Sequence, residues 1–351
     1  MKNYLCSALL VILPLFLIAQ GIVTVEPPGG GASIIFTDLQ KAIDEAPSGS
    51  RVVVSGGGYG QGQIIEINKK VTIVGNGYHP DSSAAIGISL ISNIRFKNNS
   101  SGSTIFGLKV GNIYFETTNS EQLTGIKISR CYVETIAGYC MLKNAIIEEN
   151  IIGLRNFSRG SGNDPTSIYF SDNNTARIVN SEIKNNVITG KINLVERSSF
   201  TNNILLGGVC ASGSLFKNNI IVTPTYCECA ICTPSSSFFY NNIYFGVNIV
   251  VKEGLLNQGS GNYLNYINEL PKVIFKNYSS ENLLLSDFHL NNPQLNIGGT
   301  DGTPIGIYGG TRPWKPGAIP SNPHIQSKTI APETDVQGRL NVNIRVKAQG
   351  N

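Results

Sequence analysis

A chain of 351 residues can form one elongated β domain or two smaller domains, and 41% hydrophobic residues are enough for a continuous core. Only 14% of the residues are charged and 38 are glycine, which favours short strands with tight turns over helices with charged solvent faces. The net charge of +4 is spread along the chain without a basic block, so no nucleic-acid partner is indicated.

The first 21 residues are typical of an export signal. Lys2 supplies a positive charge, the apolar run Leu5 to Ile18 follows, and Ala19 and Gly21 place small residues at a cleavage site. As a helix, this run would span only about 21 Å, less than the roughly 30 Å core of a membrane. We therefore expect residues 1–21 to be removed. The mature protein would have no membrane span and would be secreted to the periplasm, the cell surface or the medium.

A short helix is predicted near the start of the mature chain. Thr37 and Gln40 fit a capping box at its beginning. Its apolar face would carry Leu39, Ala42, Ile43 and Ala46. Such a helix would cover the exposed edge of the first strands, which would otherwise invite aggregation.

A degenerate repeat occupies the middle of the chain. Each copy has an apolar residue, two variable positions, an asparagine and two further apolar residues. The copies are Ile147–Ile152, Ile183–Ile188, Phe200–Leu205, Phe216–Ile221 and Phe239–Tyr244. Their asparagines are Asn150, Asn186, Asn203, Asn219 and Asn242, separated by 36, 17, 16 and 23 residues. Ile128–Val133 fits the same template, with Cys131 at the asparagine position.

This spacing predicts a parallel β-helix. The repeat contains neither the long 3.6-residue periodicity of helical repeats nor a leucine-rich consensus. Short β-branched runs beside Asn-Asn instead indicate strands separated by sharp turns, because asparagine tolerates the left-handed backbone conformation. Equivalent asparagines would stack as a structural ladder and satisfy one another's buried amides.

The same residues resemble a known group of proteins. Besides the repeat, the matching segments are Phe36–Ile43, Gly58-Tyr59, Val71–Gly75, Asp287–Leu290, Asn296–Gly299 and Gly306–Gly310. Together they resemble the pectate-lyase-like superfamily of right-handed β-helix proteins, including uncharacterised bacterial secreted members. The resemblance covers residues 33 to 310. It implies an all-β, right-handed parallel β-helix (solenoid) over residues 22–310, with the predicted helix capping its N-terminal end.

The remaining residues, 311–351, are predicted to form a Pro-rich extension. Prolines between Thr311 and Pro332 would end the regular strands. Leu340–Val346 alternates apolar and polar residues and is predicted to form a final strand. This strand could pair along the β-helix, which we favour, or begin a separate sandwich-like module.

The resemblance also implies where a ligand would bind. In this superfamily the cleft usually lies on the sheet formed by the first strand of each turn. Counting from the asparagines, that sheet would contain Tyr139–Leu142, Ser167–Phe170, Lys191–Val195 and Gly208–Ala211. Strand alternation would turn Ile192 and Leu194 inward and leave Lys191 and Asn193 facing solvent.

A candidate site for acidic glycans follows from this assignment. The longest interruption of the repeat, residues 155–165, precedes the strand of Tyr169. Arginine can bind a carboxylate through two hydrogen bonds, and tyrosine offers a flat face to a sugar ring. The candidate ligand residues are Tyr139, Arg155, Arg159, Asp164, Tyr169 and Lys191. The alternative interpretation is an ordinary solvated loop beside two stacked tyrosines.

No enzyme signature is present in the sequence. Pectate lyases need clustered carboxylates for calcium, whereas Asp164 and Asp172 are isolated, and the paired aspartates of related hydrolases and esterases are absent. The three histidines, His79, His289 and His324, are dispersed. Glu148, Glu149 and Glu182 are expected to be solvated at the surface beside the asparagine turn.

The sequence therefore favours a monomeric protein that binds extracellular or cell-envelope polysaccharide without catalysis, metal or cofactor. The alternative is a polysaccharide lyase or glycoside hydrolase acting on acidic glycans, with calcium as cofactor if it is a lyase. A metal-handling protein is a third possibility, but two methionines and three scattered histidines favour it little.

Six cysteines remain once the leader, with Cys6, is removed. Cys227, Cys229 and Cys232 lie in an insertion of the repeat, and Cys210 precedes them. Four thiolates could bind zinc, but only one Cys-x-x-Cys pair is present, so disulfides that staple the loop are preferred in an exported protein. Cys131 and Cys140 are predicted to be buried free thiols, because they would lie on different sides of the stack.

Overall fold

The computed structural model describes residues 21–79, 83, 85–153, 166–171, 176–222, 231–232, 236–245, 259–263, 274–279, 282–315 and 324–347. The predicted export signal, residues 1–21, lies outside this part except for Gly21, and it stays a prediction. The described chain is mainly β-structure. Its regular helices are α1 (Leu39–Glu45) and the 3₁₀ turns Thr118–Ser120, Leu283–Leu285 and Pro293–Asn296.

The strands are short and follow one another closely. The first sixteen are β1 (Val23–Glu26), β2 (Ile34–Phe36), β3 (Arg51–Val54), β4 (Gly57–Ile67), β5 (Thr72–Val74), β6 (Ser89–Phe96), β7 (Thr104–Phe106), β8 (Lys109–Phe115), β9 (Leu123–Thr124), β10 (Lys127–Ser129), β11 (Tyr132–Gly138), β12 (Leu142–Lys143), β13 (Ile146–Glu148), β14 (Ile151–Ile152), β15 (Thr166–Phe170) and β16 (Ile178–Val179). The others are β17 (Glu182–Lys184), β18 (Val187–Ile188), β19 (Lys191–Glu196), β20 (Ser199–Thr201), β21 (Ile204–Leu205), β22 (Val209–Ser212), β23 (Leu215–Lys217), β24 (Ile220–Val222), β25 (Ile231–Cys232), β26 (Phe238–Tyr240), β27 (Ile243–Phe245), β28 (Gly259–Ser260), β29 (Phe275–Asn277), β30 (Asp287–Leu290), β31 (His324–Thr334) and β32 (Leu340–Lys347).

Most strands belong to two long sheets. A twelve-stranded sheet has the order β2-β1-β3-β5-β7-β10-β13-β17-β20-β23-β26-β28, and it is parallel from β3 onward. A sixteen-stranded sheet contains all the other strands up to β27, again in parallel pairs. Strands from successive repeats are therefore neighbours in space. An all-β structure with long, stacked parallel sheets is compatible with the predicted β-helix.

The predicted asparagine ladder is confirmed. Asn186 shows the pattern, because its side-chain amide donates to the Asn203 oxygen at 3.0 Å and to the Ile147 carbonyl at 2.8 Å. Its own oxygen accepts from the backbone and side chain of Asn150, both at 3.0 Å. Asn203, Asn219 and Asn242 repeat these bonds, and Asn262 extends the ladder by one step. The ladder asparagines from Asn150 to Asn242 are fully buried.

The structure also contains a ladder of serines, which was not predicted from the sequence. The Ser198 hydroxyl accepts from the Ser181 amide, and the hydroxyls of Ser214 and Ser237 continue the series. These serines are buried at the turn that precedes each strand of the twelve-stranded sheet. Their signal was a serine two residues before the first apolar residue in four of the five aligned copies, such as Ser198 before Phe200.

The core lies between the sheets and consists of stacked equivalent side chains. Phe200, Phe216 and Phe239 are register partners, and their rings stack with centroids 4.6 and 5.0 Å apart. The second apolar residue of each Ile-Ile doublet, such as Ile152 or Ile188, joins this core. Burial of these side chains provides the main stabilisation of the stack.

The first residue of each doublet belongs to a second, outer core. Its column consists of Ile151, Val187, Ile204, Ile220 and Ile243. Residues 291–315, which we call the strap, contribute Leu295, Ile305, Ile307 and Trp314 to the same cluster. The doublets are therefore apolar at both positions because the strands are buried on both faces.

Helix α1 forms as predicted but begins differently. Its N-cap is Asp38, whose carboxylate accepts from the Lys41 amide at 2.7 Å, so the prediction of Thr37 as the cap was wrong. Gln40 does not close a capping box, because its side chain bonds to both backbone groups of Glu66 in β4. The buried face of the helix joins the core of the first strands.

The final strand is confirmed, but its predicted pairing is wrong. β32 pairs with β31 as an antiparallel hairpin, and these two strands form a sheet of their own. β31 also extends into the Pro-rich segment that was expected to lack regular structure. The two strands lie close together in the sequence, which favours their pairing because a short connection costs little closure entropy.

Candidate functional site

Three of the six predicted ligand residues can be located. Tyr139 and Tyr169 are 49% and 37% exposed, and Lys191 is half-buried at the start of β19. Arg155, Arg159 and Asp164 lie outside the described residues. Lys191 pairs with Thr166, three residues before Tyr169 in β15, so Lys191 and Tyr169 lie at different positions along neighbouring strands.

The strand predicted at Tyr139–Leu142 was placed too late in the sequence. In the structure, β11 pairs with β15 so that Ala137 is the partner of Tyr169, and Tyr139 lies beyond the end of β11. Tyr139 is therefore not the direct register partner of Tyr169. Gly138 explains the shift, since a Cβ there would lie 2.0 Å from the Phe170 ring, which fills the core beside it.

Two tyrosines flank an alanine on the outer side of the sixteen-stranded sheet. Tyr114 in β8, Ala137 in β11 and Tyr169 in β15 are consecutive register partners. Two strand spacings separate the backbones of the tyrosines by about 10 Å. Ala137, which lies between the two tyrosines, is only 6% exposed. We call Tyr114, Ala137, Tyr139 and Tyr169 the tyrosine face.

A charged network adjoins Tyr114. Arg95 is the register partner of both Glu66 and Tyr114, and its guanidinium carbon lies 6.0 Å from the Tyr114 ring centroid. Its Nη1 donates to Glu66 Oε1 at 3.2 Å, while its Nε lies 3.1 Å from Glu116 Oε2 without hydrogen-bond alignment. Such partly exposed pairs add little stability. The arrangement leaves two half-exposed carboxylates that can accept hydrogen bonds from sugar hydroxyls.

A bulge at the other end of this face changes the predicted alternation. Asn193 is not simply solvent-facing, because its side chain bonds to the amide and the carbonyl of Phe170 at 2.8 and 3.3 Å. Leu194 has φ 53 and is only partly buried, and the pairing register with β22 shifts so that Val195 points inward. Leu194 therefore packs against the core only as a partly buried residue, and Val195 is the fully buried one. A left-handed leucine costs about 1–3 kcal/mol and is compatible with a functional position.

The glutamates beside the asparagine turn differ from one another. Glu182 is exposed, as expected, but the side chains of Glu148 and Glu149 are only 5% exposed. Glu148 forms ion pairs with Lys127 and, at 3.6 Å, with Lys184. Glu149 Oε2 lies 2.9 Å from the Nε of Arg130. The prediction that these two glutamates are solvated was wrong, because the strap and the neighbouring strands cover them.

The two buried carboxyls have opposite pKa shifts. Burial favours the neutral form of Glu148, but the hydrogen bond and the charges of nearby lysines outweigh it and lower the pKa of Glu148. Burial raises the pKa of Glu149, and the Arg130 guanidinium offsets this only in part. Opposite shifts in neighbouring carboxyls occur at functional sites, but also in structural ion networks.

The two predicted free thiols are confirmed, whereas the disulfides expected among the other four cysteines, which we call the staple, stay a prediction. Cys131 and Cys140 are free and fully buried. Burial raises the pKa of Cys131 to about 12. Cys210 in β22 is the direct register partner of Cys232 in β25, whereas Cys227 and Cys229 lie outside the described residues. Strand neighbours are within the usual Cα separation for a disulfide.

Two further observations concern the described part of the chain. It holds no group of three or more His, Cys, Asp or Glu side chains placed to share a metal ion. None of its helices is both long enough and apolar enough to cross a membrane. Comparisons of the chain with protein families, with curated proteins and with solved structures gave no match.

Proposed function

We propose that this chain is an exported right-handed parallel β-helix protein of the pectate-lyase-like type, with α1 as its N-terminal cap. Its function would be to bind polysaccharide of the cell envelope or the medium on the tyrosine face. The repeat, the parallel register and the asparagine ladder support the fold. The export signal in the sequence supports the location.

The observation that carries the binding proposal is the register of Tyr114, Ala137 and Tyr169. We infer that the small residue between two aromatic side chains leaves a notch in which one sugar ring can lie. Sugar rings pack their apolar faces on aromatic rings, and polar groups at the rim fix their orientation. Glu66, Arg95 and Glu116 supply such groups beside the notch.

The first prediction concerns Tyr169. Tyr169→Ala removes one wall of the notch, so the affinity for a bound polysaccharide should fall about tenfold, equivalent to about 1.4 kcal/mol. The measurement is affinity electrophoresis or calorimetry of the mature protein with a panel of neutral and uronic-acid polysaccharides. Tyr169 is partly exposed, so the fold should be retained, and circular dichroism checks this.

Tyr240→Ala is the matched control. Tyr240 is a half-buried tyrosine on the outer side of β26, in the twelve-stranded sheet, and its loss should leave the affinity unchanged. Equal weakening by both substitutions, or no binding to any polysaccharide of the panel, would contradict the proposal.

Catalysis on acidic glycans is the second candidate function. Its support is the Glu66–Arg95–Glu116 network, which places two carboxylates and a cation beside the tyrosine face. Paired carboxylates can act as acid and base in glycoside cleavage. The same polysaccharide mixtures should then accumulate reducing ends, or unsaturated ends that absorb ultraviolet light. Glu116→Gln should abolish this product while Glu182→Gln, which changes an exposed glutamate elsewhere, leaves it.

A further inference from the structure

A small pocket lies on the twelve-stranded sheet, away from the sheet that carries the tyrosine face. Its charged lining consists of Lys127, Arg130, Glu148, Glu149, Arg312 and Lys315. The first four come from β10, β13 and the turns that follow them, whereas Arg312 and Lys315 come from the end of the strap. The pocket thus joins the repeats to the C-terminal segment that covers them.

The charges of this pocket do not cancel. Four cations face two carboxylates, which leaves a surplus of two positive charges. Both carboxylates are already engaged, Glu148 by Lys127 and Lys184, and Glu149 by Arg130. Arg312 and Lys315 form no ion pair within 4.0 Å inside the described part of the chain. The cations of the pocket that stand outside these ion pairs are therefore those of the strap.

Later repeats form the same turn without a charged cluster. Arg130 and Glu149 occupy the left-handed turn position that is asparagine in later repeats, with φ 49 and 54. There Asn185 and Asn241 donate from their side chains to strap carbonyls at 2.7–3.1 Å. Asparagine at this position thus both adopts the left-handed conformation of the turn and hydrogen-bonds to the strap. A buried ion pair in a strained conformation is rarely more stable than a neutral alternative, and such strain accumulates at functional positions.

The size of the pocket restricts what it can hold. Its cavity of about 50 Å³ exceeds the roughly 10–15 Å³ that a cavity needs to hold one water, so a compact polar group can enter it. One compact group of a ligand, or one small ion, fits this space. Two surplus positive charges match a group that carries two negative charges.

We propose that this pocket binds one tetrahedral oxyanion, a sulfate or phosphate, either free or as the ester group of a larger ligand. Arg312 donates paired hydrogen bonds to two of its oxygens, since the guanidinium geometry matches an oxyanion. Lys315 and Lys127 contribute point charges beside it. This site does not depend on the glycan-binding function proposed above, because it uses another sheet and other residues.

Calorimetric titration of the mature full chain tests the proposal. Sodium sulfate and sodium phosphate are compared at constant ionic strength maintained with sodium chloride. Sulfate also stabilises proteins through exclusion from their surface, so saturable heat is required rather than a thermal shift. We expect saturable binding of at least one tetrahedral anion. Arg312→Gln and Lys315→Gln should each weaken it about tenfold.

A matched variant controls for the loss of charge. Arg345→Gln with Lys347→Gln removes two cations from the exposed hairpin and should leave the affinity unchanged. Glucose 6-sulfate and glucose 6-phosphate distinguish the sources, because their binding assigns the site to an ester group, whereas binding of inorganic ions alone assigns it to a free ion. Absence of saturable heat, equal affinity in wild type and the strap variants, or tighter binding of glucuronate would overturn the proposal.

Discussion

Two neighbouring asparagines at the turn of each repeat have different structural tasks. The first, for example Asn202, has φ 57 and makes the left-handed turn. The second, Asn203, has a buried side chain that takes part in four hydrogen bonds with the repeats on either side. The Asn-Asn pattern predicted both the turn and the ladder. The sequence placed the ladder at the second position, because that asparagine is the one common to all five aligned copies.

This division predicts unequal costs for two adjacent substitutions. Asn203→Ala removes the ladder amide and leaves buried partners in Asn186, Asn219 and Ile183 unsatisfied, so the free energy of unfolding should fall by about 3 kcal/mol or more. Asn202→Gly keeps the left-handed conformation without strain and should change it by less than about 1 kcal/mol. Urea unfolding followed by circular dichroism measures both. Similar costs at the two positions would contradict the assignment of roles.

Also at the residue scale, Gly138 and Ala137 determine which side chains lie together in the candidate site. Gly138 admits the Phe170 ring to the core and so places Ala137, not Tyr139, beside Tyr169. The sequence named Tyr169 as a candidate ligand residue, and its side chain is exposed. It could not supply the register between strands separated by an insertion, which side-chain packing sets.

At the scale of the elements, the insertion between β24 and β26 carries the predicted disulfides. Its cysteines are Cys227, Cys229 and Cys232, and Cys210 precedes it in β22. The pairing of β22 with β25 brings Cys210 and Cys232 onto neighbouring strands. This register is compatible with a staple that fixes the insertion to the sheet.

Thiol titration tests the staple. If the four cysteines form two disulfides, the denatured but unreduced mature protein should show two reactive thiols, Cys131 and Cys140. In the native protein at pH 8 neither should react, because both are buried and the pKa of Cys131 of about 12 leaves roughly one thiolate in ten thousand. Six thiols after denaturation would exclude the staple, and Cys131→Ser should lower the expected count by one.

The Ile-Ile doublets show how an element depends on a distant segment. Alternation in a half-buried strand would leave one of the two residues in solvent. Here the strap covers the outer residue, so both are buried. From the sequence the doublets were predicted as strands, but the strap contributed only short segments to the family resemblance, because local periodicity does not show which surfaces meet.

At the scale of the whole molecule, two truncated proteins distinguish the contribution of the strap to stability from that of the β31–β32 hairpin. Removal of residues 324–351 should leave the urea midpoint unchanged, since the hairpin strands are exposed and pair only with each other. Removal of residues 291–351 should lower it strongly, because the outer core from Ile151 to Ile243 loses its cover. Each large apolar side chain newly exposed costs about 1.5–3 kcal/mol. Equal midpoints for the two truncated proteins would contradict this role of the strap.

The sequence by itself determined the parallel strands, the positions of their turns and the asparagine ladder, since these depend on spacings within one repeat and on identical side chains recurring at equivalent positions. Only the tertiary structure decided the tyrosine register, the burial of Glu148 and Glu149, and the course of the strap. Arg312 lies more than 160 residues from Glu149 along the chain, yet both line one pocket. Contacts of this kind depend on how folded surfaces fit together, because no local pattern in the sequence records which distant segments will pack against each other.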